Sequence, residues 1–137
     1  MSSRINPYFA FNGNAREAAH FYEQIFGGEL SIMTFADAGQ MQVPDTSKVM
    51  HSSLFINEGM QLMLSDAMDH TPYTSDSPYS ISLSGDDDAE LTRQWEGLID
   101  GGVVVEPLVQ APWGAKFGMC RDRYGAKWMI NIVANPQ

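Results

Sequence analysis

The sequence predicts an α+β protein of two βαβββ modules, their strands forming a curved mixed sheet around a cavity with the helices on the convex side. Three observations carry this expectation. A strand, a helix and three strands can be read twice along the chain, in the same order. Each helix ends on a glycine pair, Gly27-Gly28 and Gly101-Gly102. A tract rich in Asp, Pro, Thr and Ser separates the two readings, as a linker would. A module of this size buries too little surface to be comfortable alone, so the pair is expected to share a core as one domain over residues 1–137. Module one spans 1–66, the linker 67–77 and module two 78–137.

In module one, Ile5 to Phe11 is apolar and aromatic, as a strand requires. Asn12-Gly13 makes a turn, and Asn14 with Glu17 three residues on has the spacing of a capping box. Ala15, Ala18, Ala19, Tyr22, Ile25 and Phe26 recur at helical spacing and form one apolar stripe. The helix stops at Gly27-Gly28, since glycine accepts the left-handed conformation of a helix C-terminus. Leu30 to Phe35, Val49 to Ile56 and Met60 to Ser65 read as strands, the last two joined by the Asn57-Glu58-Gly59 turn. Module two repeats the plan with a strand at Tyr79 to Ser84 and a helix opened by Asp87 and Glu90. Leu91, Gln94, Trp95, Leu98 and Ile99 give its inner face. Val103 to Val105, Lys116 to Arg121 and Ala126 to Val133 follow, the last two linked by Asp122-Arg123-Tyr124-Gly125.

The chain has 137 residues, 44% of them hydrophobic and 18% charged, as in folded globular proteins. No apolar run approaches the ~20 residues that span a bilayer. Met1-Ser2-Ser3-Arg4 runs directly into a strand, without the apolar core of a signal peptide, and a cytoplasmic location is expected. The formal charge of −9 disfavours nucleic acid and anionic membranes as partners. The single cysteine, Cys120, excludes an internal disulfide and reads as a buried small residue within a strand.

Period-two alternation gives each strand two faces. Met50, Ser52, Leu54 and Ile56 oppose His51, Ser53 and Phe55; Tyr79, Ile81 and Leu83 oppose Ser80, Ser82 and Ser84. Helices should cover the more aliphatic side. The other side then offers small, polar and aromatic groups to an organic ligand. His51 is the first candidate for acid, base or metal-ligand chemistry, because imidazole titrates near neutrality. Asp66, closing its strand, is the second, either orienting a polar substrate or pairing with His51; the alternative is a turn-capping carboxylate. The expected pocket comprises Phe9, Phe11, Ser53, Phe55, Met63, Ser65, Ser80, Trp113, Phe117, Met129 and Asn131. His20 and His70 read as solvated.

The segments Asn6-Pro7-Tyr8-Phe9-Ala10-Phe11-Asn12-Gly13-Asn14-Ala15, Phe26-Gly27-Gly28-Glu29-Leu30, His51-Ser52-Ser53-Leu54, Leu62-Met63-Leu64-Ser65-Asp66-Ala67-Met68, Trp113-Gly114, and Asp122-Arg123-Tyr124-Gly125 with Trp128-Met129-Ile130-Asn131 carry a resemblance. They resemble PhnB-like proteins of the vicinal-oxygen-chelate (glyoxalase/bleomycin-resistance/dioxygenase) superfamily, in order and over nearly the whole chain. The resemblance implies the paired βαβββ fold and a homodimer. Some members are named 3-demethylubiquinone 3-methyltransferase, but this chain has no glycine-rich loop of the kind that holds a methyl donor. The superfamily commonly binds a divalent metal through His and Glu, one from each of four strands. By alignment those positions here are Pro7, Met63, Ser80 and Met129, which are not a donor set for such a cation. The expected function is therefore metal-independent binding of a small organic molecule, with no cofactor. The alternative is a metal-dependent lyase, isomerase or dioxygenase-like enzyme gathering Zn, Ni or Mn with His51 and carboxylates such as Asp66. A third possibility is that the sheet face serves dimer assembly.

Overall fold

The fold was taken from a computed structural model, which describes residues 5–42, 45–66 and 78–133. The expected linker 67–77, with His70, lies outside the described residues, as do residues 1–4 and 134–137. The chain divides into two compact units, residues 1–74 and 75–137. Each holds one four-stranded mixed sheet and one helix.

Unit one runs β1 (Tyr8–Phe11), α1 (Ala15–Phe26), β2 (Glu29–Thr34), β3 (Val49–Asn57) and β4 (Met60–Asp66). Its sheet has the order β1-β4-β3-β2. The first and last strands pair in parallel, and the other pairs are antiparallel. α1 begins and ends where its apolar stripe does, and Ala15, Ala18, Ala19, Tyr22 and Ile25 are its buried residues. Gly27 and Gly28 have φ of 72° and 96°, so the helix ends through two residues in the left-handed region. Gly28 is also a close approach: a Cβ there would collide with the carbonyl oxygen of Phe55.

Unit two runs β5 (Ile81–Gly85), α2 (Asp88–Ile99), β6 (Val103–Gln110), β7 (Lys116–Arg121) and β8 (Lys127–Ile132), with the sheet order β5-β8-β7-β6. The parallel pair is again first with last. α2 buries Leu91, Gln94, Trp95 and Leu98. At its end Gly102 takes the place of Gly28, since a Cβ there would strike the carbonyl oxygen of Arg121. The β7–β8 turn is held by Asp122, buried at 4% exposure, whose carboxylate accepts from the N–H groups of Tyr124 and Ala126 and from Nε1 of Trp128.

Several strand boundaries differ from expectation; β1, for one, starts at Tyr8 rather than Ile5. β6 continues past Val105 to Gln110 despite Pro107. It lies at the edge of the sheet, where a missing N–H is tolerated, and its pairing with β7 shifts register twice between Val104 and Val109. β5 starts at Ile81, which leaves Ser80 just before the strand.

Candidate functional site: the sheet faces opposite the helices

Burial assigns the faces in unit one. Phe11, Ser52, Leu54, Leu62, Leu64 and Asp66 are all at most 5% exposed, and α1 packs against β2, β3 and β4. Alternation places Tyr8, Ala10, His51, Ser53, Phe55, Met63 and Ser65 on the opposite face, each exposed or half-buried. Register brings them together: Tyr8 lies beside Met63, Met63 beside Ser53, and Ala10 beside Ser65.

His51 sits on this open face as expected, and its partner is Tyr8. The Tyr8 hydroxyl lies 3.1 Å from His51 Nδ1, and the rings are 5.7 Å apart and tilted by 33°. Ser53 is also engaged, its Oγ accepting from Gln61 Nε2 at 2.7 Å. Tyr8 is a site residue that the sequence reading missed. Its signal was parity: it alternates with Phe9 and Phe11, so once those two face the helix, Tyr8 must face away.

Three expectations are corrected by placement. Phe9 and Phe11 lie on the helix side; Phe9 meets the Tyr22 ring of α1 at 5.7 Å and the Phe11 ring at 6.0 Å. Asp66 also lies on the helix side and does not face His51. Its carboxylate accepts from Ala15 N at 3.0 Å and Val49 N at 2.9 Å, which fixes the start of α1 and the start of β3. Asn14, expected to cap α1 with its side chain, forms no such bond. The Ala15 N–H at the helix start is met by a carboxylate 51 residues away along the chain. At α2, by contrast, Asp87 caps as expected and accepts from Glu90 N at 3.2 Å.

In unit two, Leu83, Cys120, Trp128, Ile130 and Ile132 are buried, and a Cβ on Gly118 would touch Trp95 of α2. The opposite face carries Ser82, Ser84, Phe117, Met119, Met129 and Asn131. Phe117 pairs with Asn131 across β7–β8, and Met119 with Met129. Trp113, 67% exposed, lies in the β6–β7 turn and meets the Phe117 ring edge-on at 6.0 Å. Burial, aided by the Asp122 carboxylate, pushes the Cys120 thiol up to about 11, so it is no nucleophile near neutrality.

The positions that hold metal in the wider superfamily do not fit one here. Pro7 precedes β1 and uses its carbonyl to accept Met63 N. Met63 and Met129 present thioethers on the open faces, and Ser80 presents a hydroxyl before β5. Among the described residues, no group of three or more His, Cys, Asp and Glu side chains comes together. Asp66 cannot join His51, because it lies on the other side of the sheet.

Residues 3–131 match the model of the family described as 3-demethylubiquinone-9 3-methyltransferase. The chain belongs to this family. A crystal structure of PA1353 from Pseudomonas aeruginosa is 40% identical, covers 98% of this chain and all of its own, and superposes with a TM-score of 0.85. A Bacillus cereus protein described as a putative 3-demethylubiquinone-9 3-methyltransferase, PhnB protein, is 24% identical over 96% of this chain and all of its own, with a TM-score of 0.77. A glyoxylase/bleomycin resistance protein/dioxygenase domain from Frankia sp. EAN1pec, 12% identical over 97% of this chain and 98% of its own, shares the fold at a TM-score of 0.64. The chain thus shares the α+β fold of the PhnB and glyoxylase/bleomycin-resistance structures. Among the described residues no helix is long and apolar enough to cross a membrane.

Proposed function

We propose that this PhnB-like protein binds a small, partly aromatic or apolar organic molecule on its open sheet faces, without the superfamily's metal. One observation carries the reading. The faces turned away from α1 and α2 hold rings, thioethers and a few hydroxyl and amide groups in exposed or half-buried positions, where hard cation donors would be required for the metal chemistry. Such a lining gives apolar area for affinity and a few polar groups for orientation. In unit one the orienting group is the Tyr8–His51 pair, and thioethers such as Met63 adapt to irregular ligand outlines. Binding alone is the proposed activity, with no cofactor, in a cytoplasmic homodimer.

Native mass spectrometry of protein purified without chelator tests the reading, together with metal analysis and a thermal-shift series of Zn²⁺, Ni²⁺ and Mn²⁺. The expected result is a co-purified organic molecule or none, with no stoichiometric metal and no ion-dependent stabilisation. A stoichiometric divalent ion that His51→Ala abolishes would overturn it in favour of a metal-dependent lyase, isomerase or dioxygenase.

A further inference from the structure

On the open face of unit one, two accessible polar groups have an acceptor taken up by the protein and a donor left over. The Tyr8 hydroxyl lies 3.1 Å from His51 Nδ1, and the imidazole makes no other hydrogen bond among the described residues. A phenol O–H donates readily and a neutral imidazole nitrogen accepts readily, so Tyr8 donates and the ring proton sits on Nε2. Nε2 opens to solvent. Among the described residues, the one side-chain nitrogen or oxygen that is both sealed and partnerless is Asn131 Oδ1, in unit two. Ser53, two residues along β3 on the same face, repeats the pattern. Its Oγ accepts from Gln61 Nε2 at 2.7 Å, and its own O–H has no acceptor among the described residues.

The surroundings of these donors set the rest of the ligand. Met33 lies beside His51 on β2, and Met63 lies beside both Ser53 and Tyr8. Phe55 follows Ser53 on the same face and is exposed. None of the strands β1 to β4 contains Lys or Arg, and the charged residue on this face is Glu29, beside Phe55. With a net charge of −9 over the chain, an anion would be repelled and would find no fixed cation on these strands to hold it. An uncharged oxygen acceptor meets the donors without that cost.

We infer that unit one selects uncharged carbonyl compounds with an apolar, conjugated body. The carbonyl oxygen accepts from His51 Nε2 while the body lies against Met33, Met63 and Phe55. Tyr8 is the positioning residue that fixes the imidazole and its tautomer. This rests on the small-molecule reading above and narrows it to ligands that bring an acceptor. A hydrocarbon of the same shape would cover the same area and leave the Nε2 donor without a partner.

The test uses the full chain and two probes of one shape, 2-acetylnaphthalene and 2-isopropenylnaphthalene, in which C=O is exchanged for C=CH2. Because the probes differ in hydration, the readout is their affinity ratio in a variant set against that ratio in the wild type. By equilibrium dialysis, His51→Leu should shift the ratio about fivefold against the ketone, and His51→Gln, which keeps an N–H donor, only about twofold. Tyr8→Phe should also shift it about twofold. In ¹⁵N NMR of the ligand-free wild type, the neutral His51 ring should carry its proton on Nε2, and Tyr8→Phe should let it exchange between both nitrogens. A wild-type ring protonated on Nδ1 instead overturns the inference with no variant required. So does a ratio that His51→Leu leaves unchanged while both probes bind, and the broader small-molecule reading then stands. If neither probe binds the wild type, the carbonyl class fails as well, and the co-purified molecule sought by native mass spectrometry decides the broader reading alone.

Discussion

The two modules have the same strand order but start their helices in different ways. α2 is capped from within, by the Asp87 side chain on Glu90 N. α1 has Asn14 at the same position, yet that side chain forms no cap, and the carboxylate at the far end of β4 meets Ala15 N and Val49 N instead. The first helix start is thus tied to completion of its sheet, whereas the second is a local matter. An identical fold therefore carries two different dependencies on tertiary structure.

Substitutions at the two caps break or sharpen this contrast most directly. Asp66→Ala strands two buried N–H groups and should cost about 3 kcal/mol, measured by urea unfolding. Asp87→Ala removes one exposed cap and should cost about 1 kcal/mol. Equal losses would mean that the two helix starts are equivalent after all. Next come the junction glycines, where the modules should behave alike. Gly28→Ala drives a Cβ into the Phe55 carbonyl at a φ of 96°, and Gly102→Ala drives one into the Arg121 carbonyl, each costing about 2 kcal/mol or more. Gly27→Ala, with open space around it and only its φ of 72° to strain, should cost about 1 kcal/mol. A smaller loss at Gly28 than at Gly27 would deny the close approach.

Cys120 belongs to module two alone, and its effect is confined to alkaline pH. Its folded value of about 11 lies above the ordinary 9.0, so the folded protein holds this proton more tightly than the unfolded chain. That contribution is complete below pH 9 and is lost as pH rises towards 11. Thiol labelling at pH 8 should run about 100-fold slower in the native protein than in urea. The smallest effect lies at the surface. The Lys116 hydrogen bond, followed by that of Thr92, lowers the Asp88 carboxyl below 3.8, so Lys116→Gln should raise it towards 3.8 in an NMR titration. The melting temperature should scarcely move, as exposed ion pairs contribute little.

Much of the fold was legible because its signals are local. The apolar stripe of α1 and the paired glycines set both helices within their observed limits. Alternation in Met50 to Ile56 separated the α1 side from the His51 side correctly, because one side was aliphatic and the other mixed. The same rule failed on β1, where Tyr8, Phe9, Ala10 and Phe11 are all apolar or aromatic and period two cannot say which pair meets the helix. The sequence alone counts Phe9 and Phe11 as apolar pocket walls and gives no sign of Tyr8. Asp66 was misplaced because its partners, Ala15 and Val49, are remote in sequence, and only the register of β1 with β4 reveals them. The Asn131 Oδ1, buried with no donor among the described residues, has no sequence signature, since it is defined by groups that do not reach it.

The parallel pairing of β1 with β4 has a consequence for the order of events as the chain is made. Residues 8–11 emerge early and must wait for residues 63–66 before they have a strand to lie beside. Asp66 is the last residue of that partner strand, so the arrival that closes the first sheet also delivers the carboxylate that α1 lacks. Until then α1 has no side-chain cap of its own, and closing the sheet and securing the helix become a single step in the protein's biosynthesis.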